Sequence, residues 1–207
     1  MGNLISTGEG EILLDCGSGV ASRMFFYTSI ESISGIIISH LHYDHMGDLG
    51  VLGYATANAL RNNRTDGKMK VYAPGEPKDM WQSIHSVNFD VYNMADTGNL
   101  RIAGADISFM PVRHTIPCYA VRIEHSGKVL AFVTDTVYFD ELADFAKEAD
   151  LLICGAAICP GSTHTTGLGH MDARGAGTLA RKAKVKELVL THLPHDGDFN
   201  LMKAEAE

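Results

Sequence analysis

Apolar residues in this chain fall mainly into short, β-branched runs closed by Gly, Pro or Asp, at residues 11–15, 35–39, 69–73, 99–103, 106–112, 119–124, 129–134, 151–154 and 187–191. Runs of this length and composition read as strands. Glu124-His125-Ser126-Gly127-Lys128, between the sixth and seventh runs, has the composition of a hairpin turn. Other stretches, at 48–61, 77–86, 138–148 and 171–184, carry apolar residues at helical spacing. Strands predominate in the middle and helices alternate at both ends. That order predicts a layered α/β fold with helices outside and two sheets inside. No linker, low-complexity tract or repeat marks a boundary, so a single domain over residues 1–207 is expected.

Four of the apolar runs stop at a potential metal ligand. Ile36-Ile37-Ile38-Ser39 leads to His40, Phe109 to Arg113 leads to His114, Phe132-Val133-Thr134 leads to Asp135, and Leu188-Val189-Leu190-Thr191 leads to His192. Strand ends that share one rim of a sheet can converge on one site. The first run opens onto His40-Leu41-His42-Tyr43-Asp44-His45, four imidazole or carboxylate groups in six residues. Alternate residues of an extended segment point the same way, so His40 and His42 can grip one ion while Asp44 and His45 grip another. His114 would complete three nitrogens on the first ion, His192 would complete the second, and Asp135 could bridge them. Imidazole and carboxylate suit zinc, with manganese or iron as alternatives. Water held between two such ions falls toward a pKa of ~7, giving hydroxide at neutral pH.

Composition adds limits. The chain has 207 residues, 17 Lys+Arg against 25 Asp+Glu, a formal charge of −8, and 45% hydrophobic residues, as soluble globular proteins do. An acidic chain is repelled at long range by a nucleic acid or an anionic membrane. No stretch approaches the ~18–20 apolar residues of a membrane span, and the start lacks the order of a signal peptide, so a cytoplasmic location is expected. The four cysteines, Cys16, Cys118, Cys154 and Cys159, show no CxxC spacing, which argues against a disulfide framework or a Cys-based zinc site, and Cys118, Cys154 and Cys159 read as small buried hydrophobes. Of the ten histidines, His85, His125 and His164 read as surface or packing residues, and His195 as a surface residue or a neighbour of the site. Arg174, Arg181, Lys182, Lys184 and Lys186 read as a solvated helix face, or else as a rim attracting phosphate.

The HLHYDH segment, the lone His114 after a strand, Asp135 opening Asp-Thr and the late Thr191-His192 together resemble the metallo-β-lactamase superfamily. The resemblance implies a four-layer αβ/βα sandwich holding a dinuclear metal site. Arg113-His114-Thr115-Ile116-Pro117-Cys118-Tyr119 is similar to the third-ligand segment of the ribonuclease Z branch and its small phosphodiesterase relatives. Gly169-His170-Met171-Asp172 looks like the segment in which that branch carries a proton donor, and this assigns leaving-group protonation to His170. Asp44 would hold metal and orient the nucleophile. The expected activity is a zinc-dependent phosphodiesterase using a metal-bridged hydroxide on a small anionic substrate.

Three departures from the branch stand out. Gly155 occupies a position where relatives carry Glu. No segment resembles the arm with which ribonuclease Z clamps tRNA, and the only basic loop between Met46 and Arg113 is at residues 61–68. The chain also looks short of the branch's N-terminal strand and C-terminal end, and an exposed sheet edge there would invite a homodimer. A tRNA 3′-processing endonuclease of the ribonuclease Z type stays as the alternative, with a non-hydrolytic iron-binding redox protein behind it. In the redox relatives the second His of the motif is replaced by Glu, whereas this chain has His42.

Overall fold

The computed structural model describes residues 1–85, 88–162 and 169–207. The chain divides into two compact units, Met1–Asp106 and Ile107–Glu207. Each is a mixed sheet with flanking helices.

The first unit is built on a five-stranded sheet of order β1-β2-β3-β4-β5. β1 (Asn3–Ser6) runs antiparallel to β2 (Glu11–Leu14), while β2, β3 (Ile33–Ile37), β4 (Met69–Ala73) and β5 (Phe89–Asn93) are parallel. Central parallel strands are covered on both faces and so need continuous apolar sequence. Ile12, Leu13, Leu14, Ile36, Ile37 and Ile38 meet that requirement and are fully buried. The helices are α1 (Val20–Met24), α2 (Tyr43–Met46), α3 (Leu49–Arg61), α4 (Lys78–Ser83) and α5 (Met94–Thr97). α3 buries Leu49, Leu52, Thr56 and Ala59, one stripe at helical spacing. β6 (Leu100–Ile102) then turns through Ala103 and Gly104, both with left-handed backbone, into β7 (Ala105–Val112).

In the second unit β7 is followed by β8 (Cys118–His125), β9 (Lys128–Val133), β10 (Leu151–Gly155) and β11 (Leu188–Thr191), in the order β11-β10-β9-β8-β7. β8 and β9 form the expected hairpin, with Ser126 and Gly127 at φ 50° and 73°. β9, β10 and β11 are parallel, and Cys154 lies between Val133 and Leu190. This register brings Asp135 and His192 out of the sheet at the same edge. Helices α6 (Glu141–Phe145), α7 (Ala173–Ala183) and α8 (Phe199–Ala206) pack on this unit. Its core is rich in alanine, with Ala131, Ala146, Ala176 and Ala183 around Leu142, Leu152 and Leu179, so helices approach the sheet closely. The Lys186 and Lys128 ammonium groups and the Val129 amide surround Asp150 and hold its carboxyl well below the usual carboxylate range.

Several elements depart from the sequence expectation. β1 and β5 lie at the two edges of their sheet, half exposed, and their sequences lack an apolar run. The helix expected over 138–148 is confined to α6 because Glu148 takes a φ of 54° and donates its amide to the Ala183 carbonyl at 2.7 Å. The helix expected over 77–86 is observed as α4, and residue 86 lies outside the described residues.

Candidate metal centre

In the first unit β3 runs directly into the HLHYDH segment, whose second half folds as α2. His40 and His45 are fully buried, His42 is half-buried and the Asp44 side chain is 58% exposed. His40 Nε2 lies 3.0 Å from His42 Nδ1, and the His40 and His45 ring centroids are 4.1 Å apart. Two nitrogens on one tetrahedral zinc would stand about 3.3 Å apart, given Zn–N bonds of ~2.05 Å. Three imidazoles packed this closely cannot all be protonated without strong repulsion. Their donor set therefore suits cation binding, with His40 and His42 in one candidate set and His45 in another.

Asp15, directly after β2, organises these rings. Its buried carboxylate accepts the Ser39 amide at 2.7 Å and the Ser39 hydroxyl at 3.0 Å, and it lies 2.8 Å from His45 Nδ1. A proton on Nδ1 shared with Asp15 leaves His45 Nε2, 3.2 Å from Asp44 Oδ2, as the nitrogen that could bind a cation. Ser39 Oγ also lies 3.1 Å from His40 Nδ1, which orients the second ring. The loop after β2 is laced to α2 by Cys16 N donating to His45 O at 2.6 Å and Asp48 N donating to Cys16 O at 2.9 Å. A Cβ on Gly17 would overlap the Asp44 carbonyl, so only glycine permits this approach. Sequence reasoning missed Asp15. The signal was present: it is a fifth apolar run ending at a potential ligand or orienting group.

In the second unit three imidazoles surround one oxygen of Asp135, itself 2% exposed. His192 Nε2, His114 Nε2 and His170 Nδ1 lie 3.5, 3.8 and 3.9 Å from Asp135 Oδ2. These separations exceed ordinary hydrogen bonds and match atoms that share an ion at about 2 Å from each. Asp135, His170 and His192 each offer an atom within 4.8 Å of the other two. Thr134 Oγ1 donates to the other oxygen, Asp135 Oδ1, at 2.9 Å. His114 Nδ1 lies 2.9 Å from the Gly169 carbonyl, which can only accept, so the proton sits on Nδ1 and Nε2 faces Asp135. The His170 ring lies 5.2 Å from His114 and 5.3 Å from His192, centroid to centroid.

A side chain at position 155 has no room, since a Cβ on Gly155 would stand 2.7 Å from the Thr134 carbonyl oxygen. The carboxylate near His170 is instead Asp135. Other expectations resolve locally. His85 Nδ1 lies 2.8 Å from the Trp81 carbonyl and the two rings meet edge to face. His125 ends β8 and His195 is exposed; His164 lies outside the described residues. Lys182 pairs with Asp140, Lys186 with Asp150 and Arg174 with Glu205, so much of the basic cluster serves local ion pairs. Cys16, Cys118 and Cys154 are buried and Cys159 half-buried. Burial pushes the Cys154 thiol up to about 12; Cys16 reaches about 12 by burial and the charges of Asp48 and Asp15. Thiols held that high stay protonated and do not compete as ligands.

Residues 11–193 match the β-lactamase superfamily domain. The chain belongs to this superfamily. Among superfamily proteins it is similar to the probable metallo-hydrolase YhfI of Bacillus subtilis (strain 168), 30% identical over 207 residues, covering all of this chain and 84% of YhfI. The crystal structure of YhfI, a metallo-β-lactamase fold protein, matches with a TM-score of 0.90 over 100% of this chain and 83% of that one. A ribonuclease Z from Methanococcus aeolicus is 35% identical over 134 residues, 58% of this chain and 40% of its own length. A diphosphatase of the PhnP family shares the fold, with a TM-score of 0.79 at 17% identity over 98% of this chain and 77% of the other. The fold is thus the metallo-β-lactamase fold, and the chain takes its place among the superfamily's metallo-hydrolases. Divalent metal binding follows from the family together with the His/Asp sets above. Among the described residues, no helix is long and apolar enough to cross a membrane.

Proposed function

We propose that this chain is a dinuclear zinc-dependent phosphodiesterase acting on a small anionic substrate in the cytoplasm, with residues 1–207 working as one hydrolase domain. In this reading His40, His42 and His114 hold one ion, Asp44, His45 and His192 hold the other, and Asp135 bridges. The observation that carries the proposal is how the rings are committed. His45 and His114 each place Nδ1 on a protein acceptor, Asp15 and the Gly169 carbonyl, which puts the acceptor lone pair on Nε2, the atom that faces Asp44 in one case and Asp135 in the other. When bound, the ions supply Lewis acidity, lowering the pKa of coordinated water toward ~7 and offsetting charge that builds on phosphoryl oxygens.

The remaining chemistry belongs to the chain's own groups. Asp44, the most exposed acid of the set, orients the attacking water. His170 has its Nδ1 toward Asp135 and a side chain 22% exposed, so its Nε2 can hold a proton for the leaving oxygen. A general acid so placed contributes roughly 10²- to 10⁴-fold in rate.

The test is turnover of bis(p-nitrophenyl) phosphate beside a chromogenic lactam and a thioester, with and without chelator, and with metal content measured by emission spectroscopy. The expected result is hydrolysis of the diester alone, lost on chelation and restored by zinc. Hydrolysis of the lactam or thioester without the diester would reject the proposal. His170→Ala should lower kcat by about 10²-fold or more with metal content unchanged. Loss of metal in that variant would make His170 a ligand instead. A second reading, tRNA 3′-end processing, is favoured by the similarity to ribonuclease Z. It requires RNA binding that weakens steeply with salt. Sedimentation of the same preparation would reveal a homodimer.

A further inference from the structure

The helix that carries Asp44 and His45 also forms one wall of a cavity in the first unit, with a volume of about 430 Å³. That is within the range of small-molecule pockets. The walls include Tyr43 and Tyr54, rings that are 72% and 71% exposed, and Leu49, Ile84 and Phe89 contribute buried apolar surface. Among the described residues, none that lines the cavity is charged. A phosphate backbone running through this space would find no cation to meet it, whereas a flat uncharged ring would find aromatic faces and an apolar base.

Gly50 also lines this cavity and lies in α3, where glycine is costly relative to alanine. Neighbouring atoms do not require it: a Cβ there would meet nothing within 4 Å. Gly47 differs, because a Cβ on it would stand 2.7 Å from the Tyr43 carbonyl oxygen. The missing side chain at position 50 thus keeps the cavity open. Tyr43 and Met46, which line the cavity, flank Asp44 and His45 on α2, so this wall of the cavity and part of the candidate ligand set share one short helix.

We propose that this cavity is the subsite for the ester group that stays on phosphorus, and that it selects a planar aromatic ring, a nucleobase or a simple aryl group, over an alkyl group. The proposal rests on the phosphodiesterase reading and names the substrate class within it. The test uses three diesters with the same p-nitrophenolate leaving group: methyl, phenyl and thymidine 5′-p-nitrophenyl phosphate. Each kcat/KM is divided by the uncatalysed rate of its ester. At least one aromatic ester should exceed the methyl ester by tenfold or more, chiefly through KM. Preference for the thymidine ester alone identifies a nucleobase site, and equal preference for phenyl identifies a general aryl site. In Gly50→Leu, which fills the cavity, and in Tyr54→Ala, the ratio should collapse to within about twofold, with circular dichroism confirming the fold. A methyl ester as good as both aromatic ones, or a ratio that survives Gly50→Leu, overturns the subsite. If no diester turns over, the phosphodiesterase reading fails, and the cavity is judged by calorimetry with thymidine 5′-monophosphate against ribose 5-phosphate. Tighter binding of the nucleotide by tenfold, lost in Gly50→Leu, sustains the ring site; equal binding removes it.

Discussion

Replacing Asp135 by alanine is expected to lower diester turnover by at least about a hundredfold and to cut bound metal per chain to half or less. Metal affinity already falls 10- to 100-fold when a group that only orients a ligand is removed, and Asp135 is placed closer to the centre than that. Its carboxylate is buried, fixed through Oδ1 by the Thr134 hydroxyl, and has three imidazole nitrogens within 3.9 Å of Oδ2. Two dications held close together repel without an anion between them. Asp135→Asn keeps the shape and the Thr134 contact while removing the charge. It should therefore lose metal nearly as fully as alanine, a comparison that separates charge from packing. Kinetics with metal analysis decides the matter: an alanine variant with full metal and full turnover takes Asp135 out of the ligand set.

The second large effect is expected from Asp15→Asn, a change of one atom at a residue that need not touch metal. Asparagine tolerates the left-handed backbone that Asp15 adopts at φ 60°. Its carbonyl oxygen still accepts the Ser39 amide. Its NH2 group, however, faces His45 Nδ1 where a carboxylate oxygen was 2.8 Å away. A donor there forces Nδ1 to accept, moves the ring proton to Nε2 and blocks the ligand atom. Metal affinity measured by chelator competition should drop 10- to 100-fold, while urea unfolding of the metal-free protein changes by only about 1–3 kcal/mol. Asp15→Ala strands the buried groups and places alanine in the left-handed region. It should cost more, about 3–5 kcal/mol. An Asn variant that loads metal like the native chain would contradict the assigned proton positions.

The proposed ligands were readable in the sequence because their chemistry is local. Four of them fall in six residues and the others each end an apolar strand, and both patterns survive in one dimension. Asp15 closes an apolar strand as they do, but its role was not readable, because its partners Ser39 and His45 lie 24 and 30 residues further on. The cavity beside α2 was hidden for a related reason, since Tyr43, Tyr54 and Phe89 come together only through α3 and β5. The fold shows the same division. β3, β4 and β10, each buried at four of five positions, announce themselves as apolar runs because both faces are covered. The edge strands β1 and β5 bury one face or less, so their sequences carry little signal. α8 has a single buried side chain, Met202, while Phe199 and Leu201 are exposed; its start is fixed by Asp198, which accepts the Asn200 and Leu201 amides.

Two residues of the candidate centre, Asp15 and His192, hold positive φ angles of 60° and 52°. Asp and His enter that region more often than most residues, yet glycine occupies it with less strain, by about 1–2 kcal/mol. At position 15 the loss of the contacts to Ser39 and His45 outweighs that relief, but at position 192 a search for thermostability alone would drift toward glycine and remove a proposed ligand as it succeeded. The tension between durability and activity, usually diffuse in an enzyme, is here concentrated in one backbone torsion. Heat tolerance in this protein is best sought away from residues 15 and 192.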